Sequence, residues 1–127
     1  LTECLDSWAV LRWLEGHEPA VSRLNALMPE RPVMSWINLG EVAYVIERVA
    51  GAQRAQRIVN QLKQQLTMDL PTPQRVLEAA ALKANHAMAY ADAFAVATAM
   101  AHGATLLTGD PEILNGDPSW STEDLRA

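Results

Sequence analysis

The apolar residues from Ala89 to Ala101, in AYADAFAVATAMA, follow no one-sided pattern. They are nearly all Ala and go around every side of a helix, which predicts a helix buried between other elements. Gly103 is placed to end it as the C′ residue. The run Ala104-Thr105-Leu106-Leu107 then predicts a short core strand, and Thr108-Gly109-Asp110-Pro111 a turn at its end. A different pattern runs from about Asn38 to Ala50. There Leu39, Val42, Ile46 and Val49 recur at three- and four-residue spacing and define the buried stripe of an amphipathic helix. Glu41, Tyr44 and Arg48 point together, roughly opposite that stripe.

Shorter patterns fill in the rest. Thr2 to Asp6 predicts a brief strand with Asp6 at its C-terminal end. Val10, Leu11, Trp13 and Leu14 predict a helix from Ser7 to Glu15, closed by Gly16. Pro19 suits a helix first turn, with Val21, Leu24, Leu27 and Met28 as its stripe, and Pro29-Glu30-Arg31-Pro32 breaks it. A second strand is expected at Val33-Met34-Ser35-Trp36, a polar helix from Ala52 to Leu66, and a third strand at Thr67 to Leu70. Thr72-Pro73 opens a helix reaching His86, as N-cap and first-turn proline. Asn115 to Ala127 reads as a Pro/Gly/Ser-containing tail. Strands alternating with helices predict an α/β fold with a parallel sheet of about four strands.

Composition narrows the function classes. The 127 residues are expected to form a single domain, 1–127, and with 50% hydrophobic and 20% charged residues it is globular. No apolar run approaches membrane-spanning length and no secretory signal pattern opens the chain, so no membrane partner is expected. Cys4 is the only cysteine, which excludes an internal disulfide and makes a reducing, cytoplasmic setting the default. A formal net charge of −5 argues against bulk attraction to nucleic acid, so any such binding needs a local basic patch or a bound cation.

Four acids carry the chemistry. Asp6 and Asp110 each fall just beyond a predicted parallel strand, at the sheet edge where ligands bind in open α/β folds. Glu41, on a helix directly following a strand, and Asp92, in a helix first turn, are within reach of the same crevice. Four carboxylates in one pocket repel each other unless a cation compensates. Mg²⁺ or Mn²⁺ prefers such oxygen ligands and retains waters that can act as nucleophile. Each acid also has a plainer reading. Asp92 is favoured by the dipole of its own helix, Asp110 fits an Asx turn, Glu41 a solvated helix face, and Asp6 a helix cap.

The order of these acids brings in a family. Leu5-Asp6-Ser7-Trp8-Ala9-Val10-Leu11, Ile37-Asn38-Leu39-Gly40-Glu41-Val42, Tyr90-Ala91-Asp92-Ala93-Phe94-Ala95 and Leu107-Thr108-Gly109-Asp110-Pro111-Glu112 together resemble the PIN-domain ribonucleases. The likeness is strongest to the toxin component of VapBC-type toxin–antitoxin pairs. It implies a PIN-like three-layer fold and a metal-dependent endoribonuclease directed at single-stranded RNA. It also implies a homodimer held inactive by a small antitoxin. By family position Asp6, Glu41, Asp92 and Asp110 would be the catalytic, metal-holding residues, with Ser7 and Thr108 as polar neighbours. Two departures stand out. Trp8 replaces the Ser or Thr often found two residues after the first Asp. Ala89 replaces a Ser that commonly caps the helix of Asp92, a loss of roughly 0.5–2 kcal/mol.

His17, His86 and His102 with Cys4 have no zinc-like spacing, no nucleophile triad is visible, and there is no Gly-rich phosphate loop. Trp8, Trp13 and Trp36 are expected in the core or at a dimer contact, and Trp120 to pack back or meet a partner. Arg48, Arg54, Arg57 and Lys63 form the only basic concentration. Arg48 shares a face with Glu41 about 10 Å away, as a possible RNA phosphate contact. Two rival readings stand beside the ribonuclease. One is a non-catalytic RNA- or protein-binding module on the same fold, which would not need four intact acids. The other is a DNA-directed or flap nuclease, disfavoured by the small size.

Overall fold

The computed structural model of the chain describes residues 2–116 and 119–126. Leu1 and, from the expected tail, Asp117, Pro118 and Ala127 lie outside the described residues. Five parallel strands form one sheet in the order β3-β2-β1-β4-β5. These are β1 (Glu3–Leu5), β2 (Val33–Ser35), β3 (Thr67–Asp69), β4 (Thr105–Thr108) and β5 (Thr122–Asp124). The helices are α1 (Ser7–Leu14), α2 (Ala20–Leu27), α3 (Trp36–Ala50), α4 (Ala52–Gln65), α5 (Pro73–Asn85), α6 (Tyr90–Ala101) and α7 (Pro111–Leu114). A 3₁₀ turn, Met28–Glu30, follows α2.

Strand alternation sorts the core into two layers. Cys4, Val33 and Leu106 face a cluster built from α5, α6 and Trp120. Leu5, Met34 and Leu107 face the opposite cluster, with α1, α2, α3 and α4. The result is helices on both faces of a short parallel sheet, the three-layer arrangement expected. The Ala-rich helix is the most enclosed of the helices. Every residue of α6 from Ala93 to Ala99 is buried, and small side chains let it sit close against β1 and β2. Gly103 ends α6 with φ +60°, the left-handed conformation glycine adopts at no steric cost.

Three boundaries moved for identifiable reasons. Trp36 starts α3 rather than ending β2, because the Ser35 hydroxyl caps the helix by accepting from the Ile37 amide at 3.1 Å. Asp110 caps α7 by accepting from the Glu112 amide at 2.8 Å with Pro111 at the first helical position, so the expected turn becomes a helical turn. The tail supplies a fifth strand: Leu106 pairs with Thr122, Leu107 with Glu123 and Thr108 with Asp124. Trp120 packs back, 7% exposed, its indole N–H donating to the Ile113 carbonyl at 3.2 Å. The buried stripe of α3 also fades. Leu39 and Val42 are in the core, but Val49, in the last turn of the helix, is 77% exposed. Among the described residues no helix is long and apolar enough to cross a membrane.

Candidate active site

The strand order reverses around β1: β2 and β3 lie on one side of it, β4 and β5 on the other. Connections leave the two sides in opposite directions, which opens a crevice at the C-terminal edge between β1 and β4. Asp6 directly follows β1 and Asp110 follows β4 by two residues, so the topology brings both to that crevice. Asp6 is 2% exposed and caps α1 by accepting from the Ala9 amide at 2.8 Å. Its second oxygen accepts from the Thr108 hydroxyl. Thr108 Oγ1 itself accepts from the Asp110 amide at 2.9 Å, so one buried hydroxyl fixes both acids. Burial pushes the Asp6 carboxyl up to about 7; the two hydrogen bonds oppose this, and repulsion from Asp110 and Glu41 adds to it.

The two helical acids complete the group. Glu41 Oε1 accepts from the Ser7 hydroxyl at 2.8 Å and from the Asn38 amide at 3.0 Å. Asn38 Nδ2 also donates to the Ala91 carbonyl at 3.0 Å, tying α3 to the first turn of α6. Asp92 is the third residue of α6, whose N-cap, Ala89, makes no side-chain bond. Burial, then the charge and hydrogen bond of Asp110, then Asp6 and Glu41, raise the Asp92 carboxyl to about 7. One carboxylate oxygen from each of Asp92, Asp110 and Glu112 lies within 4.8 Å of the other two.

All four acids singled out from the sequence thus meet in one crevice, with Ser7 and Thr108 touching them. Asp6 is the helix cap of its plainer reading, Asp110 caps α7 rather than standing in a simple Asx turn, and both belong to the acidic cluster. Two further residues belong to the site. Glu112 stands two positions after Asp110, and an acid directly after Asp-Pro at a helix start was the available signal. Asn38, 1% exposed, stands one turn before Glu41 on the same helix face, and its Oδ1 is buried without a partner among the described residues.

The donor set is entirely oxygen: carboxylates, hydroxyls and one amide. Among the described residues no Lys, Arg or His pairs with Asp6, Glu41, Asp92, Asp110 or Glu112. Hard divalent cations match such a set, and softer metals that favour thiolate or imidazole do not. The nitrogen and sulfur donors lie elsewhere. Cys4 is in the core, where burial raises its thiol pKa. His86 stacks edge-on against Trp120 with ring centroids 5.1 Å apart, and His102 meets Asp69 at 2.9 Å. Asp69 also takes a two-pronged bond from Arg75, at 2.8 and 3.1 Å, which pins β3 to α5. Arg48 lies over the Tyr44 ring, 4.9 Å from its centroid.

A short parallel sheet with acids converging at its switch point defines a class: residues 4–117 match the PIN domain family, and the chain belongs to it. No curated protein sequence matches the chain. Among solved structures it is similar to VapBC2 from Rickettsia felis bound to a promoter DNA fragment, with a TM-score of 0.80 and 16% identity over 99% of this chain and 100% of that one. It is similar to DNA-bound VapBC from Salmonella typhimurium, with a TM-score of 0.78 and 20% identity over 98% of each chain. It is also similar to the sarcin–ricin-loop-cleaving toxin VapC20 from Mycobacterium tuberculosis, with a TM-score of 0.75 and 18% identity over 90% of this chain and 94% of that one.

Proposed function

We propose that this chain, read as one domain over 1–127, is a Mg²⁺- or Mn²⁺-dependent endoribonuclease. We take it to be the toxin of a cytoplasmic toxin–antitoxin pair. The observation that carries the reading is the convergence of Asp6, Glu41, Asp92, Asp110 and Glu112 with no cationic side chain among them. A binding module would not maintain that repulsion. The similarity to VapBC complexes supports an antitoxin partner, and the cleaving relative supports RNA as the substrate; a homodimer is proposed from the family resemblance.

Asp6, Glu41, Asp92 and Asp110 would hold the cation, with Glu112 at the rim. When bound, it would supply Lewis-acid stabilisation of the phosphate charge and lower the pKa of an attacking water. The chain's own work is positioning. The Ala9 amide and the Thr108 hydroxyl hold both Asp6 oxygens, so this carboxylate is fixed before any ligand arrives. Ser7 and Asn38 hold Glu41 in the same way. Hydrolysis joins a water oxygen to phosphorus, breaks one P–O ester bond and delivers a proton to the departing oxygen. Arg48, about two turns from Glu41, would hold a flanking phosphate.

The test is cleavage of single-stranded RNA by the purified chain. Activity with Mg²⁺ or Mn²⁺ that excess EDTA abolishes is expected. Undiminished cleavage in EDTA, lost only on removing a contaminant, would refute the reading.

A further inference from the structure

A groove of about 280 Å³ lies against α1, lined by Trp8, Arg12, His17, Glu18, Leu125 and Arg126 among others. Trp8 joins it to the acids. This residue stands two positions after Asp6. Its indole covers Gly109 so closely that a Cβ built at 109 would lie 2.2 Å from a ring carbon. Gly109 separates Thr108 from Asp110, so the groove wall is in contact with the loop that presents the acids.

The Arg12 guanidinium lies over the Trp8 ring, 4.9 Å from its centroid. A cation–π contact of this kind holds the guanidinium near the ring without consuming its N–H donors in an ion pair. The groove's other charges are engaged. Glu18 accepts from the Ser22 amide and hydroxyl at 2.9 and 2.8 Å, and Arg126 is bound to Asp124 at 2.7 Å. Arg12 has no carboxylate partner among the described residues.

We propose that Arg12, placed over the Trp8 ring, binds a backbone phosphate of single-stranded RNA next to the one being cleaved, so that this groove is the substrate's approach to the acids. The inference rests on the nuclease reading above and adds a binding residue and a direction to it. A chain of net charge −5 with acids at its centre repels a polyanion, so the substrate needs a local cation that is not already neutralised. Arg12 is six residues beyond Asp6 on α1, a rise of about 9 Å, too far for the phosphate at the acids and suited to a neighbouring one. An arginine fork matches two phosphate oxygens at once. An acidic peptide would answer the same charge. Contact with the Gly109 loop instead favours the polymer that must reach the acids.

The experiment measures binding of a labelled single-stranded RNA to Asp110→Asn protein, which does not cleave it, over a salt series, and steady-state cleavage by the otherwise unaltered chain. Arg12→Gln is expected to weaken binding about tenfold. It should also flatten the log–log salt slope by about 0.7. In cleavage it should raise KM with kcat little changed, as loss of uniform binding does. Arg12→Lys keeps the charge without the fork, and should retain the slope while losing part of the affinity. Cleavage by the parent with affinity, slope and KM all unchanged in Arg12→Gln overturns this proposal and leaves the nuclease reading standing. A parent that does not cleave RNA overturns both. If Arg12→Gln instead loses affinity for an oligoglutamate peptide but not for RNA, the groove serves an acidic protein segment and the RNA assignment is wrong.

Discussion

Replacing Asp92 with Asn keeps the side chain's shape and removes one of the converging charges. Without a cation, Asp92 is raised from 3.8 to about 7 by burial and by Asp110, Asp6 and Glu41. A group raised in the folded state contributes full stability below its unfolded value. That contribution is lost as pH rises through the folded value, here between about 4 and about 7. A shift of this size corresponds to roughly 4 kcal/mol if undiminished. Asp92 is only half-buried, and solvent screening reduces the figure to about 1–2 kcal/mol. Asn escapes that loss but gives up a favourable interaction with its helix N-terminus, worth roughly 0.3–1 kcal/mol. The net gain is about 1 kcal/mol, or a Tm rise of about 4 °C for a chain of this length. Melting curves in chelator at about pH 8 should show the rise, and curves at about pH 5, where most of that loss has yet to set in, should show a much smaller one. Added Mn²⁺ should stabilise the parent by mass action and Asp92→Asn much less. A variant that melts lower at the higher pH and keeps the full Mn²⁺ response would mean that Asp92 is only a helix-end charge.

Gly109→Ala would place a Cβ 2.2 Å from the Trp8 ring, an overpacking that should cost about 1–3 kcal/mol. An unaltered Tm would show that the indole does not rest on that loop. Arg48→Ala should weaken RNA binding across sequences and flatten the log–log salt slope by about one unit, and an unchanged slope would return Arg48 to a solvated face over Tyr44. A homodimer is expected at micromolar concentration, and sedimentation showing a monomer there would contradict it.

The α/β class and the meeting of the four acids were legible because they depend on patterns the chain repeats or stacks close together. The all-round apolar face of α6 announces burial, and an acid just past a parallel strand announces the ligand edge. The strand β5 was not legible, since Thr122, Glu123 and Asp124 carry no apolar residue. It is an edge strand held by β4 and by the Arg23 bond to Glu123 at 2.7 Å. Glu112 was hidden because α7 is only four residues long, too short for any periodicity. In the sequence Asn38 is one more residue of an amphipathic helix, and its role depends on the Ala91 carbonyl, 53 residues away in the chain. Arg12 stands among the spacer positions of α1, and only the fold reveals that it lies over Trp8, whose indole rests against Gly109. The spacing of α3 extends its stripe to Val49, which the structure exposes, because spacing does not reveal which turns of a helix have a partner to pack against.

The central claim is that these acids form one divalent-cation centre, and calorimetric titration of the chelator-treated chain with Mn²⁺ tests it most directly. Saturable binding is expected in the parent, strongly weakened in Asp6→Asn and in Asp110→Asn, and weakened less in Glu112→Gln, whose carboxylate is exposed. Mn²⁺ affinity unchanged by both Asp6→Asn and Asp110→Asn would place the cation elsewhere and contradict the account.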